Sequence, residues 1–175
     1  GLVGGGRIAQ AVAQRAAGFG MRLIYTAHRP RRDFEARTGA RFMEKDALLA
    51  TADFVSLHVP LTTETRHYIG RRELEIMPRH AILINTARGP VVDEDALAAA
   101  LQKGDIAGAG LDVFEREPQI HPGLRDLPNV LLTPHKGATT MDGFISMGNS
   151  CAEKIFAALD GRVPPDCLNP EARQG

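Results

Sequence analysis

Short apolar runs rich in β-branched residues alternate along the chain with stretches in which apolar side chains recur at every third or fourth position. The first pattern predicts strands and the second predicts amphipathic helices. Leu2-Val3 reads as the end of a strand, followed by Gly4-Gly5-Gly6 and a helix over 7–18, where Ile8, Val12, Ala13 and Ala16 supply the apolar period. Gly18 and Gly20 stop that helix. Further strands are predicted at 21–25, 53–57, 81–85, 106–111 and 129–133, and further helices at 44–51, 71–77, 94–102 and 140–160. Asp93 is the expected N-cap of the 94–102 helix and Gly104 its terminator. Arg29–Arg32 reads as a basic loop broken by Pro30, and the segment between 112 and 128 as a proline-punctuated loop.

Strands that are apolar on both faces and alternate with helices imply a parallel sheet covered on two sides. The predicted fold class is therefore α/β, a doubly wound parallel sheet with helices on both faces. The predicted domain spans 1–162. The tail over 163–175, with Pro164, Pro165 and Pro170, stands outside the pattern and reads as a linker leading elsewhere.

Composition narrows the function classes. With 175 residues, 43% hydrophobic and 24% charged, the chain has the profile of a folded domain, which excludes disorder and collagen. Apolar stretches such as Ala81-Ile82-Leu83-Ile84 fall far short of the roughly 20 residues a membrane-spanning helix needs. No basic segment followed by an apolar leader opens the chain, so no membrane partner is expected and the cytoplasm is the expected location. Cys151 and Cys167 belong to no CxxC pair and have no histidine at ligand spacing; they read as structural, with no disulfide framework and no metal centre. Zero net charge argues against a general nucleic-acid surface. Residues 1–41, however, carry eight arginines against Asp33 and Glu35, which points to a local anion site.

Ligands of open parallel sheets bind at the carboxyl ends of the strands. Those ends hold Gly4-Gly5-Gly6, Ala27-His28-Arg29, His58-Val59-Pro60, Thr86-Ala87-Arg88-Gly89, Asp112 and His135. The opposite edge is polar too, with Arg22, Asp53, His80, Asp105 and Asn129, so placement alone only suggests a site. The glycine turn says more: Gly4-Gly5-Gly6-Arg7-Ile8-Ala9 fits GxGxxG/A between a strand and a helix, where helix N–H groups hold a pyrophosphate. The acid that accepts the ribose 2′-OH of NAD is expected at 27, and Ala27 stands there. His28, Arg29, Arg31 and Arg32 crowd the loop instead and suit the 2′-phosphate of NADP.

Together these residues resemble the cofactor domain of the D-isomer-specific 2-hydroxyacid dehydrogenases. The resemblance rests on ordered motifs: GGGRIA at 4–9, FGM at 19–21, HVPLTTETR at 58–66, INTARGPVVDEDAL at 84–97, GAGLDVFEREP at 108–118 and NVLLTPHKG at 129–137. YTAHRPR at 25–31 is most similar to the NADPH-using glyoxylate/hydroxypyruvate reductase branch. The resemblance implies a Rossmann domain and an NAD(P)-dependent oxidoreductase, NADP preferred over NAD, that reduces a 2-keto acid such as glyoxylate or hydroxypyruvate. It assigns catalysis to His135, Glu117 and Arg88. Histidine titrates near neutrality and can deliver the proton, a carboxylate orients it, and an arginine fork holds the substrate carboxylate.

By the same resemblance the cofactor touches Gly4, Gly6, Arg7, Ile8, His28, Arg29, His58, Val59, Pro60, Thr65, Thr86, Ala87, Arg88, Asp112, His135 and Gly137. It implies a small 2-keto or 2-hydroxy acid as partner and a homodimer when complete. The chain then reads as about half of a two-domain enzyme, lacking most of its first strand and its substrate domain, and inactive by itself. Ala9, Ala27, Lys136 and Phe144 depart from the usual pattern. A dinucleotide-sensing binding protein or corepressor on the same fold is the alternative, since such proteins keep the same three residues.

Overall fold

A computed structural model describes residues 1–164 and 166–173. Its centre is a seven-stranded sheet of β1 (Leu2–Val3), β2 (Ile24–Thr26), β3 (Arg41–Phe42), β4 (Phe54–Leu57), β5 (Ile82–Asn85), β6 (Gly108–Leu111) and β7 (Val130–Leu132), in the order β3-β2-β1-β4-β5-β6-β7. Every pairing is parallel. The helices are α1 (Arg7–Gly18), α2 (Arg32–Thr38), α3 (Lys45–Thr51), α4 (Arg71–Ile76), α5 (Glu94–Lys103), α6 (Pro122–Arg125) and α7 (Met141–Leu159). Parallel neighbours need crossover connections, and α1, α3, α4 and α5 lie within them.

Alternation along the strands sorts side chains into two cores. Leu2, Ala9, Ala13, Tyr25 and Phe34 pack beneath α1 and α2 on one face, while Val3, Leu57, Leu83, Leu97 and Leu111 join α3, α4, α5 and α6 on the other. Fully removing a leucine of this kind from water contributes about 2 kcal/mol. Asp93 caps α5 by accepting from the Ala96 N–H, and Gly104 closes it in the left-handed conformation (φ 70°).

The doubly wound architecture agrees with the expectation from sequence, with several differences, among them an unpredicted strand β3 and a short helix α6 within the segment read as loop. The face that α1 and α2 cover is covered unevenly: Ile82 and Ile84 are half-buried and Leu131 is 71% exposed, because α1 and α2 cover only the β1–β2 end. The predicted strand over 21–25 is displaced to Ile24–Thr26, since the register with β1 starts at Tyr25 and that with β3 at Ile24. Part of the basic loop is helix α2, which carries one buried apolar anchor, Phe34, and so has no period to read. Cys151 is exposed and Cys167 half-buried, so neither packs as a core residue.

The chain divides into two compact units, Gly1–His135 and Lys136–Gly175. The first contains the whole sheet. The second contains α7, whose N-cap Thr140 accepts from the Gly143 N–H and none of whose residues is buried.

Candidate active site

The strand order reverses direction beside β1, whose neighbours are β2 and β4. Connections leave that point toward opposite sides, which opens a crevice at the carboxyl ends of the strands. Gly4 begins the turn there. Its φ is 109°, and a Cβ on it would stand 2.7 Å from the His58 carbonyl oxygen, so only glycine fits. Its N–H bonds to the Thr26 carbonyl at 2.8 Å, while the His58 N–H bonds to that of Val3 at 2.7 Å, which ties the turn to both flanking strands. Gly6 caps α1 without a side chain, and no acidic residue occupies the first helical turn. The positive end of the helix therefore faces outward unneutralised.

A cavity of about 930 Å³ opens over this turn. Of the residues named from sequence, Gly4, Gly6, His28, Arg29, His58, Val59, Pro60 and Thr65 line it, together with Gly5, Ala27, Pro30, Arg31, Arg32, Asp33 and Tyr68. A glycine cradle, an open helix N-terminus and a basic wall fit a dinucleotide. Arg7 and Ile8 lie in the first turn of α1 but not on the cavity wall, and Ile8 is 68% exposed. Thr65 is buried; its hydroxyl donates to the Pro60 carbonyl at 2.6 Å and accepts from the Thr62 N–H at 2.7 Å, so it shapes the wall. Burial pushes His58 down to about 4, which leaves a neutral imidazole 3.0 Å from the Ser56 hydroxyl.

The four basic residues of the loop are not equivalent. Arg31 pairs with Asp33 at 2.7 Å and donates to the Gly5 carbonyl at 2.6 Å, so it fastens the basic loop to the glycine turn. That bond holds the exposed Asp33 carboxyl below its ordinary range. Arg29 and Arg32 make no ion pair among the described residues and are exposed.

A second group of side chains gathers at the ends of β5, β6 and β7. Asn85, buried at the end of β5, accepts from the Ala87 N–H at 3.1 Å and donates to the Arg88 carbonyl at 3.0 Å, which folds the turn carrying Thr86, Ala87 and Arg88. The buried carboxylate of Asp112 accepts from the Thr133 hydroxyl at 2.5 Å. Thr133 in turn accepts the His135 N–H on its carbonyl at 3.0 Å, a turn that places His135 at φ 52°. Non-glycine residues rarely occupy this left-handed region, and such strain persists where neighbours over-determine it.

The His135 ring donates from Nδ1 to Glu117 Oε2 at 2.8 Å, and Glu117 Oε1 accepts from the Phe114 N–H at 3.0 Å. The bond from His135, aided by the Phe114 N–H and the charge of Arg88, holds the Glu117 carboxyl below its ordinary range despite some desolvation. Arg88, Glu117 and His135 are thus brought together. Arg88 is exposed and donates from Nη1 to the Ala87 carbonyl at 2.6 Å. Gly137 and Lys136 lie in the second unit.

Sequence reasoning overlooked Asn85, Thr133 and Tyr68, and placed Gly89 at a strand end without a role. A Cβ on Gly89 would fall 1.9 Å from the Phe114 carbonyl carbon and oxygen, so the Arg88 turn rests backbone-on-backbone against the segment leading to Glu117. The first two lie within motifs, but nothing local marks them as structural supports. Tyr68 has no signal of its own; Lys45 Nζ stands 4.4 Å above its ring.

A doubly wound parallel sheet with a glycine cradle at its reversal point defines a dinucleotide-binding domain of the Rossmann type. The chain belongs to the D-isomer specific 2-hydroxyacid dehydrogenase family, whose NAD binding domain matches residues 1–137. It is 48% identical over 171 residues to a glyoxylate reductase of Thermococcus litoralis, covering 98% of this chain and 52% of that protein. It is 50% identical over 173 residues to a glyoxylate/hydroxypyruvate reductase B of Pectobacterium carotovorum, covering 98% and 54%. Among solved structures, the NAD-complexed D-isomer specific 2-hydroxyacid dehydrogenase of Lactobacillus delbrueckii ssp. bulgaricus superposes with a TM-score of 0.89 at 34% identity, over 96% of this chain and 55% of that one. The chain spans about half the length of the curated relatives it matches.

Proposed function

We propose that this chain is the cofactor-binding half of an NADP-preferring dehydrogenase that reduces a 2-keto acid, such as glyoxylate or hydroxypyruvate, to the D-2-hydroxy acid. The observation that carries the reading is the 2.8 Å bond between His135 and Glu117 at the strand ends, with Arg88 close enough to influence the Glu117 carboxyl. A bound reduced nicotinamide dinucleotide supplies the hydride. The residues of the chain do the rest. With Nδ1 committed to Glu117, His135 presents Nε2 as the proton donor to the substrate carbonyl oxygen, and the Glu117 carboxylate stabilises the imidazolium before transfer. Arg88 binds the substrate carboxylate through its planar fork.

Cofactor preference follows from the basic wall. Ala27 cannot accept from a ribose 2′-OH, whereas Arg29 and Arg32 offer cations to a 2′-phosphate. Arg31, already held by Asp33 and Gly5, acts as a brace rather than as a phosphate ligand. The domain boundary belongs to the same proposal: residues 1–162 form the cofactor domain, and 163–175 begin the return to a substrate domain.

The test is an assay of NADPH oxidation with glyoxylate and hydroxypyruvate in the longer protein, beside the 175-residue chain alone. The longer protein turns over at least one of these acids, His135→Ala lowers its kcat by about 100-fold or more, and the chain alone shows little or no turnover. Dinucleotide binding without turnover of any 2-keto acid, whichever cofactor is used, overturns the enzyme reading in favour of a sensor or corepressor. Substantial turnover by the isolated chain overturns the claim that it is half of the catalyst.

A further inference from the structure

Glu94 is a buried carboxylate that the proposed chemistry does not use. It is 6% exposed and opens helix α5, where its own N–H donates to Glu115 Oε1 at 3.1 Å while its Oε1 accepts from the Glu115 N–H at 2.9 Å. Each of the two glutamates thus caps the other's backbone. Glu115 takes further partners: His67 Nε2 at 3.1 Å and the Arg66 guanidinium at 3.7 Å. His67 adopts φ 50°, and its N–H bonds to the Pro90 carbonyl, so a strained backbone carries the imidazole to this carboxylate.

Two carboxylates side by side, one of them buried, are unfavourable: burial and the neighbouring Glu115 charge both push the Glu94 carboxyl up. A helix start can be capped without such an arrangement, and Asp93 already caps this one. What the pair adds is a tether on Glu115, two residues before Glu117. The segment it holds touches the Arg88 turn through the contact of Gly89 with Phe114 and closes on itself through the bond from the Phe114 N–H to Glu117.

We propose that Glu94 and Glu115 are positioning residues whose reciprocal hydrogen bonds fix the 114–117 turn and so hold Glu117 against His135. The proposal rests on the role assigned above to Glu117 and His135. Catalytic geometry tolerates errors of only about 0.5 Å, so loosening the tether lowers turnover without touching the dinucleotide cavity. An amide at position 94 can still accept from the Glu115 N–H, whereas a methyl group cannot.

Two readouts test it. In the 175-residue chain, carbon-13 NMR follows the titration of the Glu117 carboxyl; it moves up toward its ordinary value of 4.5 in Glu94→Ala, as it does in His135→Ala, and stays low in Glu94→Gln. In the longer protein, Glu94→Ala lowers kcat about tenfold with the KM for NADPH unchanged, and Glu94→Gln restores kcat to within about twofold of the parent. Glu115→Ala, at the less buried member of the pair, reproduces both effects and serves if Glu94→Ala does not fold. A folded Glu94→Ala with the parent titration and the parent kcat overturns the proposal. If Glu94→Ala shifts the titration but Glu117→Gln leaves turnover intact, the tether stands and the catalytic reading of Glu117 falls.

Discussion

The cavity between β1 and β4 and the cluster at the ends of β5 to β7 lie along the same edge of one sheet but are built by different means. The cavity is largely a backbone construction: a glycine at positive φ, an uncapped helix N-terminus and the carbonyl of His58 set its shape. The cluster rests on side-chain bonds, from Thr133 to Asp112 and from His135 to Glu117, joined by the backbone bond of the His135 N–H to the Thr133 carbonyl. Backbone geometry binds whatever is negative and suitably sized, and a side-chain network selects a proton position. On the proposed reading, the fold thus separates holding a cofactor from delivering a proton.

The largest effect expected is on the contact that joins the two parts of the cluster. Gly89→Ala forces a methyl group into the Phe114 backbone and destabilises the chain by about 4 kcal/mol or more, measured by urea unfolding. Next, Glu117→Gln in the longer protein lowers kcat by about 100-fold while the dissociation constant for NADPH stays within about twofold. A parallel loss of affinity would erase the distinction between the regions.

The cavity has its own pH signature. His58 falls from 6.5 to about 4 on folding because burial penalises the imidazolium. Between those values the unfolded chain binds a proton that the folded chain does not, so stability is complete above about 6.5 and declines as pH falls toward 4. After allowance for partial exposure the loss is about 2 kcal/mol, and His58→Gln removes it from the stability-pH curve. Glu117 depends on pH in the same direction but over a lower window: its depressed carboxyl contributes fully above the ordinary value of 4.5 and loses that contribution as pH falls further. The smallest effect is on cofactor choice. Arg29→Ala weakens NADPH binding about tenfold and leaves NADH unchanged, and equal parent affinities for the two dinucleotides would contradict the NADP assignment.

The same contrast explains what could be read in the sequence. The glycine turn and the N-cap Asp93 are local rules, and both stand where periodicity and spacing put them. Helix α2 escaped because Phe34 alone anchors it, and its partner Tyr25, at a ring-centroid distance of 4.7 Å, lies in another element. The pairing of Arg31 with Asp33 could not be read in advance, since charge counting does not show which cation already has a partner. Arg88, Glu117 and His135 could be named only through family motifs. The bond between His135 and Glu117 spans 18 residues, Arg88 acts on Glu117 through its charge, and nothing in the spacing of a single sequence reports such proximity.

On the proposed reading the isolated chain holds a dinucleotide at the β1–β4 crevice. Titrating NADPH into nitrogen-15-labelled chain, with amide shifts followed by NMR, tests it most directly. Saturable shifts are expected at Gly4, Gly5, Gly6, Arg29 and Val59, with weaker shifts in Arg29→Ala. Shifts confined to other surfaces, or none at millimolar NADPH in a folded chain, would contradict it.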